Sequence, residues 1–308
     1  MADQLTGFSI VIATHNRPTK LLALLESIRS SRAPNLDAVV VVDDSDPFRD
    51  LTNDFVDLRL KHVRLPGRVF LSRARNIGWQ ACRGPFLYFI DDDNVVTKET
   101  LQEPLRLLLE NPGLGAVMPA VLYKERPDLV WVYGTPLNPD RWGHELIGRN
   151  KIRERSLENR LLPTDALPNA FIVRRAAVEQ LGGFAERFVM SSSADFAIRL
   201  KQAGWMVAAY TGAFTLHDVE PPGRTGYWAS HRGVDPDRVF HDVRDWFVLM
   251  RSLHPGERWF LLKATRHAAG FMAPNALSYV LRGGSQGRES LKQLVRAYLS
   301  SVRTDRMS

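Results

Sequence analysis

The stretch FLYFIDDDNVV, residues 86–96, runs from five mostly apolar residues directly into three consecutive aspartates, Asp91, Asp92 and Asp93. A short apolar run of this kind predicts a buried strand. Three carboxylates at its end repel one another unless solvent, a cation or a cationic side chain compensates their charge. Acidic residues and asparagine also form solvated turns, so this stretch alone leaves open a turn or a site for Mg²⁺ or Mn²⁺.

Composition limits the classes of protein to which this chain can belong. Its 308 residues, 44% of them hydrophobic, suffice for one large α/β domain or two smaller ones. The single cysteine, Cys82, excludes an internal disulfide framework and a multi-cysteine zinc site. The net charge of +7 favours anionic partners. No recognised nucleic-acid-binding motif is present, so nucleic acid is not expected as a partner.

The two ends of the chain bear on its location and its contacts. The N-terminal residues lack the pattern of a signal peptide and no long apolar run occurs, which predicts a soluble, cytoplasmic protein. The tail from about residue 236 is predicted to be largely helical and basic. Its apolar and basic residues suit packing against the rest of the chain, a homodimer contact or a peripheral membrane contact, and we favour the first two.

Strand and helix patterns alternate along the first part of the chain. Four segments have the composition of strands, namely FSIVIATHN, DAVVVVDDSD, LKHVRLP and FLYFIDDD. Between them, PTKLLALLESIRSS and LSRARNIGWQACRG carry apolar residues at helical spacing. Such alternation predicts an α/β fold in which helices cover a mainly parallel sheet.

Three of these predicted strands end in polar groups, Thr14-His15-Asn16, Asp43-Asp44-Ser45 and Asp91-Asp92-Asp93. Ligands of open α/β sheets bind outside the carboxyl ends of strands, so one pocket can collect all three groups. Neither a GxGxxG loop nor a P-loop accompanies them, which argues against a dinucleotide-dependent dehydrogenase and a P-loop NTPase. Phosphates bound here would therefore be held by a metal ion or by basic residues.

The second part of the chain continues with a helix near residues 98–111 and with strands in AVMPAVLY and LVWVYGT. Residues 139–163 are polar and rich in arginine without clear periodicity, which predicts a mobile loop. NAFIVRRAAVEQLGGF then predicts a strand and a helix, and SSADFAIRLKQAGW predicts a helix that ends at Gly204. MVAAYTGAFTLHD predicts strands that end at His217.

In this order the segments resemble a family 2 glycosyltransferase with the GT-A fold, a Rossmann-like α/β fold that binds nucleotide sugars. FSIVIATHNRP resembles the family's first strand and loop, and VVVVDDSD its second strand. SRARNIGWQACRGPFLYFIDDD is similar to its helix and DxD metal motif, and NAFIVRRAAVEQLGGFAERF to its acceptor-side segment. The resemblance covers roughly residues 7–220. It implies a catalytic domain at 1–235, with a nucleotide-binding half at about 1–120 and an acceptor-binding half at about 121–235, and a helical extension at 236–308.

The resemblance also implies roles for single residues. Asp44 would accept a hydrogen bond from the base, and either Arg73 or Arg75 would face the phosphates. The implied nucleotide-binding residues are Ala13, Thr14, Asn16, Arg17, Asp44, Arg73, Arg75, Asp91 and Asp92. The cofactor would be Mn²⁺ or Mg²⁺, and its implied ligands are Asp91, Asp93 and His217. The structural alternatives are a turn cap for Asp44 and a structural histidine for His217.

The sequence departs from the family where the catalytic base is expected. Inverting members carry a Glu-Asp pair before the acceptor-side helix, and Ser192-Ser193 stands at those positions. A serine hydroxyl is a poor base at neutral pH, so the nearest carboxylate, Asp195, becomes the candidate catalytic residue. Asp195 also fits a helix-capping role. Asp218 or Glu220 as the base, an acceptor that needs little deprotonation, a retaining mechanism and an altered site remain alternatives.

Together these features predict a glycosyltransferase that moves a sugar from a nucleoside diphosphate sugar, with UDP as the expected nucleotide, to an unidentified acceptor. A divalent cation would assist by stabilising the charge that develops on the diphosphate. One alternative is a binding protein that keeps the nucleotide pocket but has lost catalysis. Another is a sugar-nucleotidyltransferase of the same fold, although ATHNRP stands where its glycine- and lysine-containing loop is expected.

Overall fold

The computed structural model describes residues 7–138, 142–221, 236–269 and 284–305. Contacts divide the chain into two compact units. The sheet unit takes the described residues of Met1–Pro136, Glu145–Glu186 and Ser193–Pro221, and the helical unit those of Leu137–His144, Arg187–Ser192 and Pro222–Ser308.

A ten-stranded sheet forms the centre of the sheet unit. The strands of the described residues, all in this sheet except β8 and β9, are β1 (Phe8–Thr14), β2 (Leu36–Asp43), β3 (Lys61–Arg64), β4 (Phe86–Asp91), β5 (Asn94–Val95), β6 (Leu114–Tyr123), β7 (Val130–Val132), β8 (Leu137–Asn138), β9 (Gly143–His144), β10 (Leu161–Pro163), β11 (Ala170–Arg174) and β12 (Met206–His217). The order is β10-β12-β6-β11-β4-β1-β2-β3, with β5 on β12 and β7 on β6, while β8 and β9 pair separately. The run β4-β1-β2-β3 is parallel throughout, which confirms the predicted α/β fold with a mainly parallel sheet.

Helices cover both faces of the sheet because successive strand residues point to opposite sides. The helices are α1 (Pro18–Ser31), α2 (Leu71–Gln80), α3 (Lys98–Glu110), α4 (Arg175–Leu181), α5 (Ser192–Gln202), α6 (Pro236–Leu253), α7 (260–269) and α8 (Gly284–Asp305). In β1, Ile10 and Ile12 join the core beneath α1 and α3, whereas Val11 joins the core beneath α2, α4 and α5. Helix α2 lies so close to the sheet that a Cβ on Gly78 would be 2.3 Å from Cγ1 of Val11.

The predicted loop at residues 139–163 contains regular structure, and the prediction was wrong there. Strand β10, Leu161–Pro163, pairs antiparallel with β12 at the edge of the sheet, and Arg155–Leu157 forms a 3₁₀ turn. Both elements span three residues, which is too short for an apolar pattern to appear in the sequence. Residues 139–141 lie outside the described part of the chain.

Helices α6, α7 and α8 take up most of the described residues from 236 onward, as predicted for the tail. Within the helical unit, the indole ring of Trp142 stacks on His254, Phe260 and His267, with ring centroids 4.3, 5.4 and 5.4 Å away. The indole N–H of Trp246 donates to the carbonyl of Trp142 at 3.0 Å. None of the helices in the described ranges is long and apolar enough to cross a membrane.

Candidate active site

The carboxyl ends of β1, β2 and β4 lie side by side at one edge of the sheet. In the parallel register, Thr14 pairs with Asp43 and Ala13 pairs with Asp91. Strand β12 ends at His217, which pairs through β5 with the turn that follows β4. The structure therefore brings polar residues from four strands to one place.

Arg17 compensates part of the charge of the aspartate cluster. Its Nη1 donates to Oδ1 of Asp92 at 3.0 Å and to Oδ2 of Asp93 at 3.1 Å. The hydroxyl of Thr14 donates to the other oxygen of Asp92 at 2.8 Å. Burial raises the pKa of Asp92 to about 6, although Arg17 and Thr14 oppose the shift. A cationic side chain thus contacts two of the three adjacent carboxylates in this structure.

Arg75 contacts the third aspartate, Asp91. Its Nη2 donates to Oδ1 of Asp91 at 2.7 Å, and its side chain is only 3% exposed. The guanidinium carbon lies 5.6 and 5.5 Å from the ring centroids of Phe171 and Phe184. Within the described part of the chain, the buried Nη1 has no hydrogen-bond partner. Arg73 is exposed, so of the two candidate arginines it is Arg75 that reaches the cluster.

His217 faces Asp93 from the end of β12. Its Nε2 lies 3.6 Å from Oδ2 of Asp93, and its buried Nδ1 has no hydrogen-bond partner among the described residues. The ring of Trp131 packs edge-on against it, with centroids 5.1 Å apart. Burial alone would raise the pKa of Asp93, but the attraction of His217, Arg17 and Lys20 outweighs burial and leaves that pKa lowered. Asp93 is therefore a carboxylate beside an imidazole nitrogen.

Asp44 and Asn16 connect the loops that follow β2 and β1. One carboxylate oxygen of Asp44 accepts from the backbone N–H of Val69 at 2.5 Å, and the other lies 2.8 Å from Nδ1 of His15. Asn16 adopts a left-handed conformation with φ of 53°, which asparagine tolerates better than most residues. Its backbone N–H donates to the hydroxyl of Ser45 at 2.7 Å. These bonds fix the two loops to each other around a buried Asp44.

Asp195 lies in the first turn of α5 and is 4% exposed. Its Oδ2 accepts from Nε of Arg199 at 2.7 Å. The same guanidinium donates to the carbonyl oxygens of Leu181 and Gly183, at 3.4 and 3.0 Å. The ion pair therefore joins α5 to the end of α4, and this geometry favours a structural role for Asp195 over that of a base.

Asp245 of α6 holds the segment that precedes α5 in the sequence. Its Oδ2 accepts from the backbone N–H groups of Val189, Met190 and Ser191, at 2.7, 2.7 and 3.3 Å. Nε of Arg244 donates to the other oxygen at 2.9 Å, and Asp245 is fully buried. Sequence reasoning missed this residue, because the one available signal is an acid on the buried side of an amphipathic helix.

The family model of glycosyl transferase family 2 matches residues 9–182, more than half of the chain. The chain belongs to glycosyl transferase family 2. Among curated relatives, a pre-mycofactocin glycosyltransferase from Mycobacterium tuberculosis is 27% identical over 218 residues, which are 68% of this chain and 42% of that protein. This family 2 chain spans 29–42% of the length of the first curated relatives that it matches.

Solved structures show the same fold. The Staphylococcus aureus TarS structure in complex with UDP-GlcNAc superposes with a TM-score of 0.56 at 20% identity, covering 96% of this chain and 81% of that one. A Pyrobaculum calidifontis mannosyltransferase in complex with GDP-Man and Mn²⁺ gives a TM-score of 0.51 at 18% identity, with 97% and 86% covered. At these identities the similarity confirms the GT-A fold of this family 2 protein and nothing more specific.

The strand edge fits a divalent cation that binds together with phosphates. Among the described residues, no three His, Cys, Asp or Glu side chains are grouped to hold a metal ion. Asp93 and His217 nevertheless offer a carboxylate and an imidazole 3.6 Å apart. Mg²⁺ commonly binds through one or two carboxylates and completes its shell with waters and substrate phosphates. Asp93 and His217 are therefore the two protein donors that this edge offers to such an ion, and Oδ2 of Asp93 also accepts from Arg17.

Sequence reasoning gave neither His15 nor Lys20 a role of its own in the site. His15 stands in the loop motif after β1, but a single histidine gave no sign of its partner Asp44. Nζ of Lys20 donates to the carbonyl of Asp218 at 2.6 Å, and its charge helps to lower the pKa of Asp93. No sequence motif marks Lys20, because its partner Asp218 is far away in the sequence and no local pattern connects the two.

Asp43, at the end of β2, anchors the turn that carries Asp44. Its Oδ1 accepts from the backbone N–H of Ser45 at 2.8 Å, and its Oδ2 lies 3.0 Å from Nε2 of the buried His62. Nδ1 of His62 accepts from the backbone N–H of Leu51 at 3.1 Å. An accepting Nδ1 places the proton of the neutral imidazole on Nε2, which therefore donates to Asp43.

We expect Asp43→Asn to lower the free energy of unfolding by about 1–3 kcal/mol at pH 7, because His62 and Ser45 lose a charged acceptor. Burial raises the pKa of Asp43, but the hydrogen bonds from His62 and Ser45 outweigh it and leave that pKa lowered. This stabilisation is therefore present at neutral pH and is lost as the pH falls below about 4 through the lowered pKa. Urea unfolding at pH 7 and pH 3 measures it, with the exposed Asp57→Asn as the control. Parallel pH profiles for wild type and Asp43→Asn would contradict the assignment.

Proposed function

We propose that this chain transfers a sugar from a nucleoside diphosphate sugar, with UDP as the nucleotide, to a hydroxyl or amine of an acceptor. The observation that carries the proposal is the common edge of β1, β2, β4 and β12, where carboxylates, arginines and a histidine meet. The carboxyl ends of strands are the ligand-binding end of open α/β sheets. Membership of glycosyl transferase family 2 and the names of the relatives support sugar transfer.

The nucleoside is proposed to bind at the ends of β1 and β2. Ala13, Thr14 and Asn16 would line this pocket, and Asp44 would accept a hydrogen bond from the base. The buried carboxylate of Asp44 between the two fixed loops supports this role. Solved structures with the same fold contain UDP-GlcNAc in one case and GDP-Man in another, so the identity of the nucleotide needs a direct test.

The diphosphate is proposed to bind beside the aspartate cluster. Asp93 and His217 would hold Mn²⁺ or Mg²⁺, with Asp91, which pairs with Arg75 in this structure, as the third candidate ligand. The ion when bound stabilises negative charge on the diphosphate. Arg75 positions Asp91, and its unpartnered Nη1 is suited to donate to a phosphate oxygen. The side chain of Arg17 is 51% exposed, which gives it room to exchange its carboxylate partners for phosphate.

The catalytic domain is proposed to be residues 1–235, with a nucleotide-binding half at about 1–120 and an acceptor-binding half at about 121–235. Residues 236–308 would form a helical extension. The strand ends assigned to the nucleotide belong to β1, β2 and β4, all within the first half. The acceptor side would include the chain around Ser192-Ser193 and α5.

We expect Asp195→Asn to leave turnover within about tenfold of wild type and to lower the free energy of unfolding by about 1–3 kcal/mol, because Arg199 loses its charged acceptor. Steady-state kinetics and urea unfolding measure the two effects. Arg199→Met breaks the same ion pair from the other side, and as the matched control it should reproduce the loss of stability.

The opposite pattern would identify Asp195 as the catalytic base. In that case Asp195→Asn would cut turnover by about 10²-fold or more with unchanged nucleotide affinity. The variant Ser193→Asp restores an acid at a family position and distinguishes a protein that has lost its base from one with another mechanism. Gained transfer activity in Ser193→Asp would support the first case.

A screen of UDP, GDP and CDP sugars by thermal shift, with and without Mn²⁺, tests the proposed function. A ligand that binds only the folded state raises its apparent stability, so we expect UDP sugars with Mn²⁺ to give the largest shift. Hydrolysis and transfer are then assayed with the sugars that bind. Binding without either activity would indicate a degenerate binding protein, and pyrophosphate release from a nucleoside triphosphate and a sugar phosphate would indicate a nucleotidyltransferase.

A further inference from the structure

The first turns of α7 expose an unusual combination of side chains. Trp259, which directly precedes the helix, is 59% exposed and Leu262 is 67% exposed. Lys263 and Arg266 are exposed as well. Positions 259, 262, 263 and 266 are three or four residues apart, so they share one side of the helix. Phe260, Ala264 and Ala268 are buried on the other side.

Helix α8 repeats this combination. Val295 is 48% exposed and Leu299 is 51% exposed. The exposed Arg288, Lys292 and Arg296 lie at helical spacing around them. Leu294, Ala297 and Ser301 are buried on the opposite side.

The two helices lie next to each other in the helical unit. The hydroxyl of Thr265 on α7 is 2.9 Å from the hydroxyl of Tyr298 on α8. The ring of Tyr298 also packs edge-on against Phe247 of α6, with centroids 5.7 Å apart. Because α7 and α8 are in contact and each buries the side opposite its exposed face, we treat the two exposed faces as one surface. We call it the basic apolar surface, made of residues 258–266 and 288–299.

The positive charge of this surface favours some binding partners over others. The ranges 257–269 and 284–301 contain six Lys or Arg residues, all exposed, against the two acids Glu257 and Glu289. A second copy of the same face would place like charges against one another. Nucleic acid would use the basic residues but would leave the exposed leucines and the valine without a partner. An anionic bilayer offers partners to both the basic and the apolar side chains. The apolar side chains enter the boundary of the acyl chains, while Lys and Arg contact the headgroups.

We propose that the basic apolar surface binds peripherally to an anionic lipid bilayer. Trp259 is the side chain best suited to the interface, because its indole combines an apolar body with a polar N–H. The proposal stands apart from the sugar-transfer function, since it rests on α7 and α8 alone. Binding should weaken as salt increases, because part of the attraction is electrostatic.

Vesicle flotation at physiological salt tests the proposal with the full-length protein. We expect binding to vesicles of phosphatidylglycerol and phosphatidylcholine and at least tenfold weaker binding to phosphatidylcholine alone. The double variant Trp259→Ser, Leu262→Ser should lose at least tenfold in binding. The matched control Val56→Ser, Leu109→Ser removes two exposed apolar side chains of the sheet unit, 67% and 43% exposed, and should bind like wild type.

Charge reversal gives a second, independent variant. Arg266→Glu with Arg288→Glu should weaken binding to phosphatidylglycerol vesicles at least tenfold, whereas Lys61→Glu with Arg83→Glu, two exposed positions of the sheet unit, should weaken it clearly less. Circular dichroism confirms that each variant is folded. Brominated lipids should quench part of the tryptophan fluorescence, and that part should disappear in Trp259→Phe.

Three results would overturn the proposal. The first is an absence of vesicle binding by the wild-type protein. The second is equal loss of binding in the surface variants and in their controls. The third is a dimer in light scattering that Trp259→Ser, Leu262→Ser converts to monomer, because the surface would then be an interface between two copies.

Discussion

The Asp93→Asn variant is expected to bind UDP equally well with and without Mn²⁺ and to lose about 10²–10³-fold in turnover. The amide keeps the shape of the side chain but removes the negative charge proposed to hold the cation beside His217. Without the cation, the charge that develops on the diphosphate loses its main stabilisation. Calorimetry of UDP binding at several Mn²⁺ concentrations and steady-state kinetics measure the two effects.

Two further variants make the Asp93 experiment specific. The exposed Asp57, which pairs with Arg29, provides the control Asp57→Asn, which should leave both measurements unchanged. His217→Ala should weaken the metal dependence less than Asp93→Asn, because it removes a neutral ligand and leaves the carboxylate. Unchanged metal-dependent UDP affinity in Asp93→Asn would remove Asp93 from the proposed metal site.

The edge of the sheet was predictable because its signals are local. An apolar run followed at once by polar residues marks the carboxyl end of a buried strand, and Thr14, Asp43 and Asp91 all carry that pattern. Parallel pairing then places such ends together without further information. The resemblance to family 2 added the order of the segments, and the family match and the solved structures confirm the fold.

The choice between Arg73 and Arg75 depends on how α2 faces the sheet. Two positions two residues apart point to nearly opposite sides of a helix, so only one of them can reach the cluster. Gly78 indicates which arginine faces the sheet. A glycine within a helix can mark a close approach to the sheet, and Gly78 lies on the same side of α2 as Arg75. The sequence therefore contains a local signal that favours Arg75 over Arg73.

Some of the other contacts at the site can be predicted from the sequence alone, and others cannot. Asp195 and Arg199 are four residues apart on one helix, a spacing that predicts an ion pair from the sequence alone. Arg17 and Asp92 are separated by 75 residues, and no local rule connects them. Their pairing follows from the juxtaposition of β1 and β4 in the sheet, which a sequence pattern predicts as topology but not as a particular contact.

The variant Arg75→Met is expected to lower the free energy of unfolding by about 2–4 kcal/mol. Methionine fills much of the space between Phe171 and Phe184 but leaves the carboxylate of Asp91 without its partner. Breaking a fully buried pair costs about 3–5 kcal/mol. The side chain of Asp91 is 31% exposed, so solvent compensates part of that loss.

A double-mutant cycle separates the ion pair from simple packing at Arg75. If the loss comes from an uncompensated Asp91, then Arg75→Met with Asp91→Asn should recover at least about 1 kcal/mol relative to Arg75→Met alone. The exposed neighbour supplies the control, since Arg73→Met should change the free energy of unfolding by no more than about 0.5 kcal/mol. Urea unfolding at pH 7 measures the wild type, Arg75→Met, Asp91→Asn, the double variant and Arg73→Met. Additive losses in the double variant would mean that Arg75 stabilises the fold through its aromatic contacts, and the orienting role proposed for it toward Asp91 would fail.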